Sequence, residues 1–135
     1  MKYFTIPELT YSYTAIAKHI DNTPSKENIE NLVALIENIL DPLREAYGKP
    51  IIVNSGYRCQ VLNRIVGGAV NSDHLKGRAA DIHGSPNTKI ENKKLFDLII
   101  TLNLPYCQLI DEKNFSWIHV SYNPMVKEHR YFSII

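Results

Sequence analysis

The sequence predicts an α+β fold in which helices pack on a mainly antiparallel sheet. Two observations lead to this fold class. Apolar residues recur at helical spacing in the first half of the chain, and most short β-branched or alternating segments follow in the second half. The 135 residues suffice for one domain with its own core, so we expect a single domain over residues 1–135.

The clearest helix is predicted to begin at the hydroxyl cap and early proline of residues 23–27 and to end near Gly48. Its apolar positions repeat every 3.6 residues from Ile29 to Leu43, which indicates a face buried against a core. Further helices are predicted at residues 15–20, 57–66 and 91–102, and strands at residues 51–53, 79–83, 107–110, 117–122 and 131–134.

Composition and charge argue against several partners and compartments. The net charge of +1 gives no bulk attraction to nucleic acid or to an anionic membrane. The longest apolar stretch, residues 95–104, is too short to insert into a bilayer. Two cysteines, Cys59 and Cys107, do not make a disulfide framework, so we expect two buried free thiols. No signal-peptide pattern follows Met1, so we expect synthesis in the cytoplasm. We also expect the protein to be a monomer.

The first candidate site residues are His74 and Asp81, which lie seven positions apart. Gly77 between them permits a sharp turn, and the small Ala79 and Ala80 leave space beside the carboxylate. An aspartate inside an otherwise apolar strand is costly unless it is paired or bound to a metal. Spacing alone leaves two possibilities, a metal site or a salt-bridged aspartate near a surface histidine.

His119 adds a third candidate ligand. Alternation along its strand places Trp117 and His119 on one face and the apolar Ile118 and Val120 on the other, so we expect His119 to face a cleft. A buried structural histidine is the alternative, and His83 is a rival ligand on the Asp81 face. Two imidazoles and one carboxylate would leave one position of a tetrahedral zinc ion open, as in catalytic zinc sites.

Two separate blocks of the sequence together resemble a known family. Ser72-x-His74-x-x-Gly77-x-Ala79-x-Asp81, followed by Trp117-x-His119-Val120, is similar to the zinc D-alanyl-D-alanine carboxypeptidase family of cell-wall peptidases. Upstream support comes from Ser55-Gly56-Tyr57-Arg58, Leu62-Asn63 and Gly67-Gly68-Ala69, and the resemblance covers roughly residues 30–125. The family includes VanY-type carboxypeptidases and phage endolysins, and it shares its fold with the hedgehog signalling domain.

The resemblance implies one zinc ion with three protein ligands, namely His74, Asp81 and His119. Arg58 occupies the family's arginine position, which implies a catalytic and substrate-binding role. Its guanidinium would pair with a substrate carboxylate or a developing oxyanion. The alternative for Arg58 is a surface ion pair at a helix start. We expect Ser72 beside the metal, as a donor to substrate or a support for the ligands, and Trp117 as a substrate contact.

The general base is indicated less directly than the ligands. Many relatives place a glutamate three residues before the last histidine ligand, or a histidine two residues before it, and these positions are Ser116 and Trp117 here. Glu112 is the preferred candidate, because it resembles the glutamate that ends the preceding strand in the phage-like branch. The alternatives are Asp111, His83 or no proper base.

Distance is the main condition on Glu112 as the base. A tight hairpin at Lys113-Asn114 would place Glu112 opposite Phe115, about 13 Å along the strand from His119, which is too far for proton transfer. A bulge or a longer loop from Glu112 to Ser116 is therefore required.

These expectations lead to a zinc metallopeptidase that hydrolyses peptidoglycan peptides, as a D-Ala-D-Ala carboxypeptidase or an endolysin-type endopeptidase. Its partner would be a stem or cross-bridge peptide, and action on the cell wall would follow phage-type release. One alternative is a non-catalytic zinc-fold module that binds cell-wall peptides or a protein partner. Another is a purely structural metal site.

Overall fold

The computed structural model describes all 135 residues, which form helices packed against one five-stranded sheet. The α-helices are α1 (Ile6–Thr10), α2 (Tyr13–Ala17), α3 (Lys26–Leu35), α4 (Asp41–Tyr47), α5 (Gln60–Ile65) and α6 (Lys89–Thr101). The strands are β1 (Ile52–Ser55), β2 (Ala79–His83), β3 (Gln108–Glu112), β4 (Trp117–Ser121) and β5 (Arg130–Ile134). None of the helices has both the length and the apolar character that crossing a membrane requires.

The predicted long helix is present as α3, a π-helical segment at Ile36–Leu40, and α4. Pro42 explains the π-helical turns, because proline has no N–H to donate to the carbonyl four residues earlier and its ring crowds that carbonyl. The helical stretch ends at Gly48, which adopts a left-handed conformation with φ of +76°. Its apolar face is fully buried in the core through Leu32, Leu35, Ile36, Ile39, Leu40 and Leu43.

The sheet has the order β1-β2-β4-β3-β5. Its first three neighbouring pairs are antiparallel, and only β3 with β5 is parallel, so the predicted α+β fold with a mainly antiparallel sheet is confirmed. Ile82, Ile118 and Val120 on one face are fully buried in the core. The other face of the two central strands carries Asp81 and His119.

Two predicted elements differ from the structure in ways that matter for the site. The strand predicted to stop at residue 110 continues to Glu112, because β4 pairs with it to the end. The helix predicted from residue 57 begins only at Gln60. The residues before it are held in an extended path, since Tyr57 N–H donates to the carbonyl of Leu9 and Arg58 N–H donates to that of His74.

The two cysteines are free, as predicted, but the prediction that both are buried is wrong for Cys59. Cys107 is buried, whereas Cys59 is only half-buried. Burial raises the pKa of the Cys107 thiol, which keeps it protonated near neutral pH.

A short 3₁₀-helix at Asp73–Lys76 leads into β2. Ser72 caps this helix, and Gly77 ends it with φ of +73°. Gly77 also lies against α3, because a Cβ atom at this position would be 2.6 Å from the carbonyl oxygen of Asn28. Both the turn and the close approach therefore require glycine between the two predicted ligands His74 and Asp81.

Gly77→Ala is expected to lower the free energy of unfolding more than Gly48→Ala does. Both substitutions force an alanine into the left-handed region, at about 1 kcal/mol or more each. Only the alanine at position 77 also meets a backbone atom, since nothing lies within 4 Å of a Cβ at Gly48. Urea denaturation of the two variants measures the difference, and equal losses would contradict the proposed contact with α3.

Candidate metal centre and active-site cleft

Three side chains from separate elements converge at one point on the open face of the sheet. His74 comes from the 3₁₀-helix, Asp81 from β2 and His119 from β4. His74 Nε2 lies 3.3 Å and His119 Nδ1 lies 3.0 Å from the same carboxylate oxygen, Oδ1 of Asp81. One donor atom from each residue lies within 4.8 Å of the other two.

Two hydrogen bonds hold the ring and the backbone of His74. Its Nδ1–H donates to the carbonyl oxygen of Gly56 at 2.6 Å, which leaves Nε2 free to face Asp81. Its backbone N–H donates to the hydroxyl of Ser72 at 3.1 Å. His74 is only 2% exposed, so this orientation is set inside the protein and not by solvent.

Asp81 and His119 are direct partners across neighbouring antiparallel strands, in the register of β2 and β4. Burial alone would raise the pKa of the Asp81 carboxyl group. Hydrogen bonds and the charge of His119 and His74 outweigh that effect, so the pKa lies well below its ordinary value of 3.8. Asp81 is therefore ionised at any physiological pH, the state that a metal ligand requires.

This donor set fits a zinc ion. Two imidazoles and a carboxylate are ligands of catalytic zinc, and tetrahedral bonds of about 2.1 Å would separate neighbouring donor atoms by about 3.4 Å. The two measured separations from Asp81 Oδ1 are close to that value. Only three side chains form the cluster, so a fourth position remains for water or substrate.

The donors lie at the floor of a cleft of about 480 Å³, within the usual size of small-ligand sites. The cleft brings together all seven site residues that the sequence predicts: Arg58, Ser72, His74, Asp81, Glu112, Trp117 and His119. Polar and charged side chains predominate in its walls, which suits a peptide more than an apolar ligand.

Glu112 is closer to the three candidate metal ligands than a tight hairpin would allow. The β3–β4 connection has four residues, so Glu112 pairs with Trp117 and not with Phe115, while Ile110 pairs with His119. This register places Glu112 about 7 Å along the strand from the level of His119, half the separation of the tight hairpin. The Nε1–H of Trp117 donates to Glu112 Oε2 at 3.0 Å and orients the carboxylate.

The loop that creates this register is strained locally and held by its neighbours. Lys113, Asn114 and Phe115 all have positive φ angles of 49–61°, a conformation that costs free energy in residues other than glycine. Asn92, on α6, donates through Nδ2 to the carbonyl of Phe115 at 2.8 Å. The ring of Phe115 packs edge-on against that of Phe96 at 5.6 Å.

Arg58 lines the same cleft without an ion-pair partner. Burial lowers the pKa of its guanidinium below the ordinary value, and the negative charges of Asp81 and Glu112 partly offset that effect. Its Nε is buried and makes no hydrogen bond. An unpaired buried donor is costly, so Arg58 is poised to bind an oxygen of an incoming molecule. The structure does not place it in the surface ion pair that was the alternative interpretation.

The other polar side chains considered as base or ligand make hydrogen bonds outside the donor cluster. His83 is outside the donor cluster, and its Nδ1–H donates to the carbonyl of Gly84 at 2.8 Å. Asp111 is on the opposite face of β3 from Glu112 and accepts a hydrogen bond from the hydroxyl of Ser133. The Ser116 hydroxyl donates to the carbonyl of Lys113 within the loop.

The supporting roles of two residues were not predicted from the sequence. Gly56 orients His74 through a backbone carbonyl, a role that no side chain reveals. Asn92 is completely buried and links the loop below Glu112 to the chain after β2, because its Oδ1 accepts a hydrogen bond from Gly84 N–H. The available sequence signal for Asn92 was that this polar residue lies on the apolar side of α6.

Two comparisons with known proteins bear on this cleft. Residues 2–121 match the family described as Peptidase M15. The chain is also 52% identical over 44 residues to the zinc D-Ala-D-Ala carboxypeptidase of Streptomyces albus G, a segment that spans 32% of this chain and 17% of that protein. The family match runs through the end of β4 and includes His74, Asp81, His119 and Glu112. Because the match covers most of the chain, the chain belongs to the Peptidase M15 family.

Proposed function

We propose that this protein is a zinc metallopeptidase that hydrolyses peptide bonds in peptidoglycan. The main support is the convergence of His74, Asp81 and His119 in one cleft with a carboxylate, Glu112, and an unpaired guanidinium, Arg58. Peptidase M15 membership supports the reaction class. The similarity to a zinc D-Ala-D-Ala carboxypeptidase supports zinc as the metal and cell-wall peptides as the substrate.

His74, Asp81 and His119 would hold the metal, and zinc, when bound, supplies the positive charge that polarises a carbonyl and acidifies water. Glu112 takes the proton from the attacking water and returns it to the leaving amine nitrogen. The C–O bond forms and the C–N bond breaks. The hydrogen bond from Trp117 holds Glu112 in one orientation for both transfers.

Arg58 binds an oxygen of the substrate within the same cleft. Its fork of N–H donors suits a carbonyl oxygen that gains negative charge or a carboxylate nearby. Ser72 contributes by accepting the backbone hydrogen bond that shapes the His74 turn. Trp117 contributes an aromatic wall to the cleft, with Lys113 Nζ over its ring at 5.4 Å.

A second candidate function is a module that binds cell-wall peptides without cutting them. The observation that favours it is the occupation of positions 116 and 117 by serine and tryptophan, where many relatives carry the base. A gel containing purified peptidoglycan separates the two functions. A peptidase clears the gel around its band, whereas a pure binding module is retained without clearing it.

His74→Ala is expected to abolish zinc binding, because it removes one of only three protein donors. His83→Ala is the matched control, since it removes a histidine near the end of the same strand as Asp81 but outside the donor cluster. Zinc content per chain after dialysis, measured by mass spectrometry, distinguishes the two variants. Equal zinc content in both would contradict the assigned ligand set.

Glu112→Gln is expected to keep zinc and lose hydrolysis by about 100-fold or more, because the amide still accepts from Trp117 but cannot take a proton. Asp111→Asn is the control, as it changes the neighbouring carboxylate on the opposite face and can keep its contact with Ser133. Zinc content and the rate of muropeptide cleavage are measured together. Full activity of Glu112→Gln would rule out Glu112 as the base.

A further inference from the structure

One wall of the cleft is formed by the glycine loop, residues 66–72, which follows α5. Six of the fifteen residues that line the cleft belong to this loop. Its first part is Gly67-Gly68-Ala69, and Gly67 has a φ of +77°. None of these three residues has a side chain beyond Cβ, so this part of the wall presents main chain to the cleft.

A single buried side chain, that of Asn63, joins the glycine loop to α5. Asn63 is 4% exposed, and its Nδ2 donates to the carbonyl oxygen of Ala69 at 2.9 Å. The same carbonyl accepts a hydrogen bond from the N–H of Ser72 at 3.1 Å. One carbonyl group in the loop is therefore held both by α5 and by the residue that caps the His74 turn.

The close approach of the loop to Asn63 requires glycine at position 68. A Cβ atom there would lie 2.0 Å from Oδ1 of Asn63. The N–H of Gly68 also donates to the backbone carbonyl of Asn63 at 2.9 Å, so the loop cannot move away without breaking that bond. An alanine at position 68 would instead displace the amide of Asn63 and break its hydrogen bond to Ala69.

Asn63 carries a cost that its contact with the loop explains. Its Oδ1 is buried and accepts no hydrogen bond within the chain. A buried acceptor without a partner loses its hydration and lowers stability, and an apolar side chain at this position would avoid that loss. An apolar side chain would also lack the donor that holds Ala69. A local cost of this kind is expected where a residue serves a site.

We propose that Asn63 is a positioning residue that holds the glycine loop as the part of the cleft that binds the main chain of the substrate peptide. This inference rests on the proposed function and adds the element that recognises the substrate. The N–H groups of Ala69, Val70 and Asn71 have no acceptor within the chain, so they are available to the carbonyl oxygens of a bound peptide. Main-chain hydrogen bonds of this kind supply affinity for a peptide.

The first test is Asn63→Ala in the zinc-loaded full chain, with pentapeptide muropeptides and cross-linked muropeptide dimers as substrates. KM should rise by about tenfold and kcat should change by about threefold or less, because a displaced loop loses binding that the ground state and the transition state share. Zinc content should stay at the wild-type level, since His74 keeps its bonds to Gly56 and Ser72. Val61→Ala is the control with wild-type KM, because Val61 is an exposed residue of α5 outside the cleft.

Three results of this test would count against the account in different ways. A wild-type KM in Asn63→Ala would overturn the inference and leave the proposed peptidase function intact. Loss of zinc from Asn63→Ala would also overturn the inference, because Asn63 would then act on the metal ligands and not on the substrate. Absence of cleavage by the wild-type chain would overturn the proposed function, and the inference with it.

The second test compares Gly68→Ala with Gly67→Ala, each alone and combined with Asn63→Ala. Gly68→Ala should raise KM by about tenfold alone but by about twofold or less beside Asn63→Ala, because the oxygen that the new Cβ meets is then gone. Gly67→Ala should act equally in both backgrounds, since nothing lies within 4 Å of a Cβ at that position.

Additive effects of Gly68→Ala and Asn63→Ala on KM would overturn the inference, because they would show that the two residues act separately. The single variant Gly68→Ala is also a test that does not depend on the folding of Asn63→Ala. A wild-type KM in Gly68→Ala would by itself overturn the inference.

Discussion

The convergence of two imidazoles on the Asp81 carboxylate is the interaction on which the rest of the site depends. A charged carboxylate on a strand flanked by buried Ala80 and Ile82 is stable only if groups of complementary charge or a metal face it. His74 and His119 supply that partner within 3.3 Å of one oxygen. Removal of the Asp81 charge would leave the two imidazoles facing each other with nothing between them to attract a cation.

The fold supplies each part of this arrangement through backbone geometry. Antiparallel pairing of β2 with β4 sets Asp81 beside His119, and the 3₁₀-helix that Gly77 terminates brings His74 to the same point. The carbonyl of Gly56 then selects the nitrogen of His74 that faces the site. The ligands therefore come from elements that are fixed by the core, which limits the rearrangement that metal binding requires.

The convergence of the three candidate ligands could be predicted from the sequence better than their surroundings. Alternation on β4 was enough to put His119 opposite the apolar Ile118 and Val120, and both of these are fully buried. The distance of Glu112 could not be predicted, because it depends on a four-residue loop with three non-glycine residues at positive φ. Only Asn114 among them has an intrinsic tendency toward that conformation. The loop is set by tertiary contacts from α6, which a local pattern does not contain.

The most direct test of the account is the zinc content of Asp81→Asn compared with that of the wild-type chain. Asparagine keeps the size of the side chain and removes the negative charge that brings the two histidines and the cation together. We expect one zinc ion per wild-type chain after dialysis and little or none in the variant, with the helix and sheet content of the two proteins unchanged. Equal zinc content in the two proteins would contradict the claim that His74, Asp81 and His119 form the metal site.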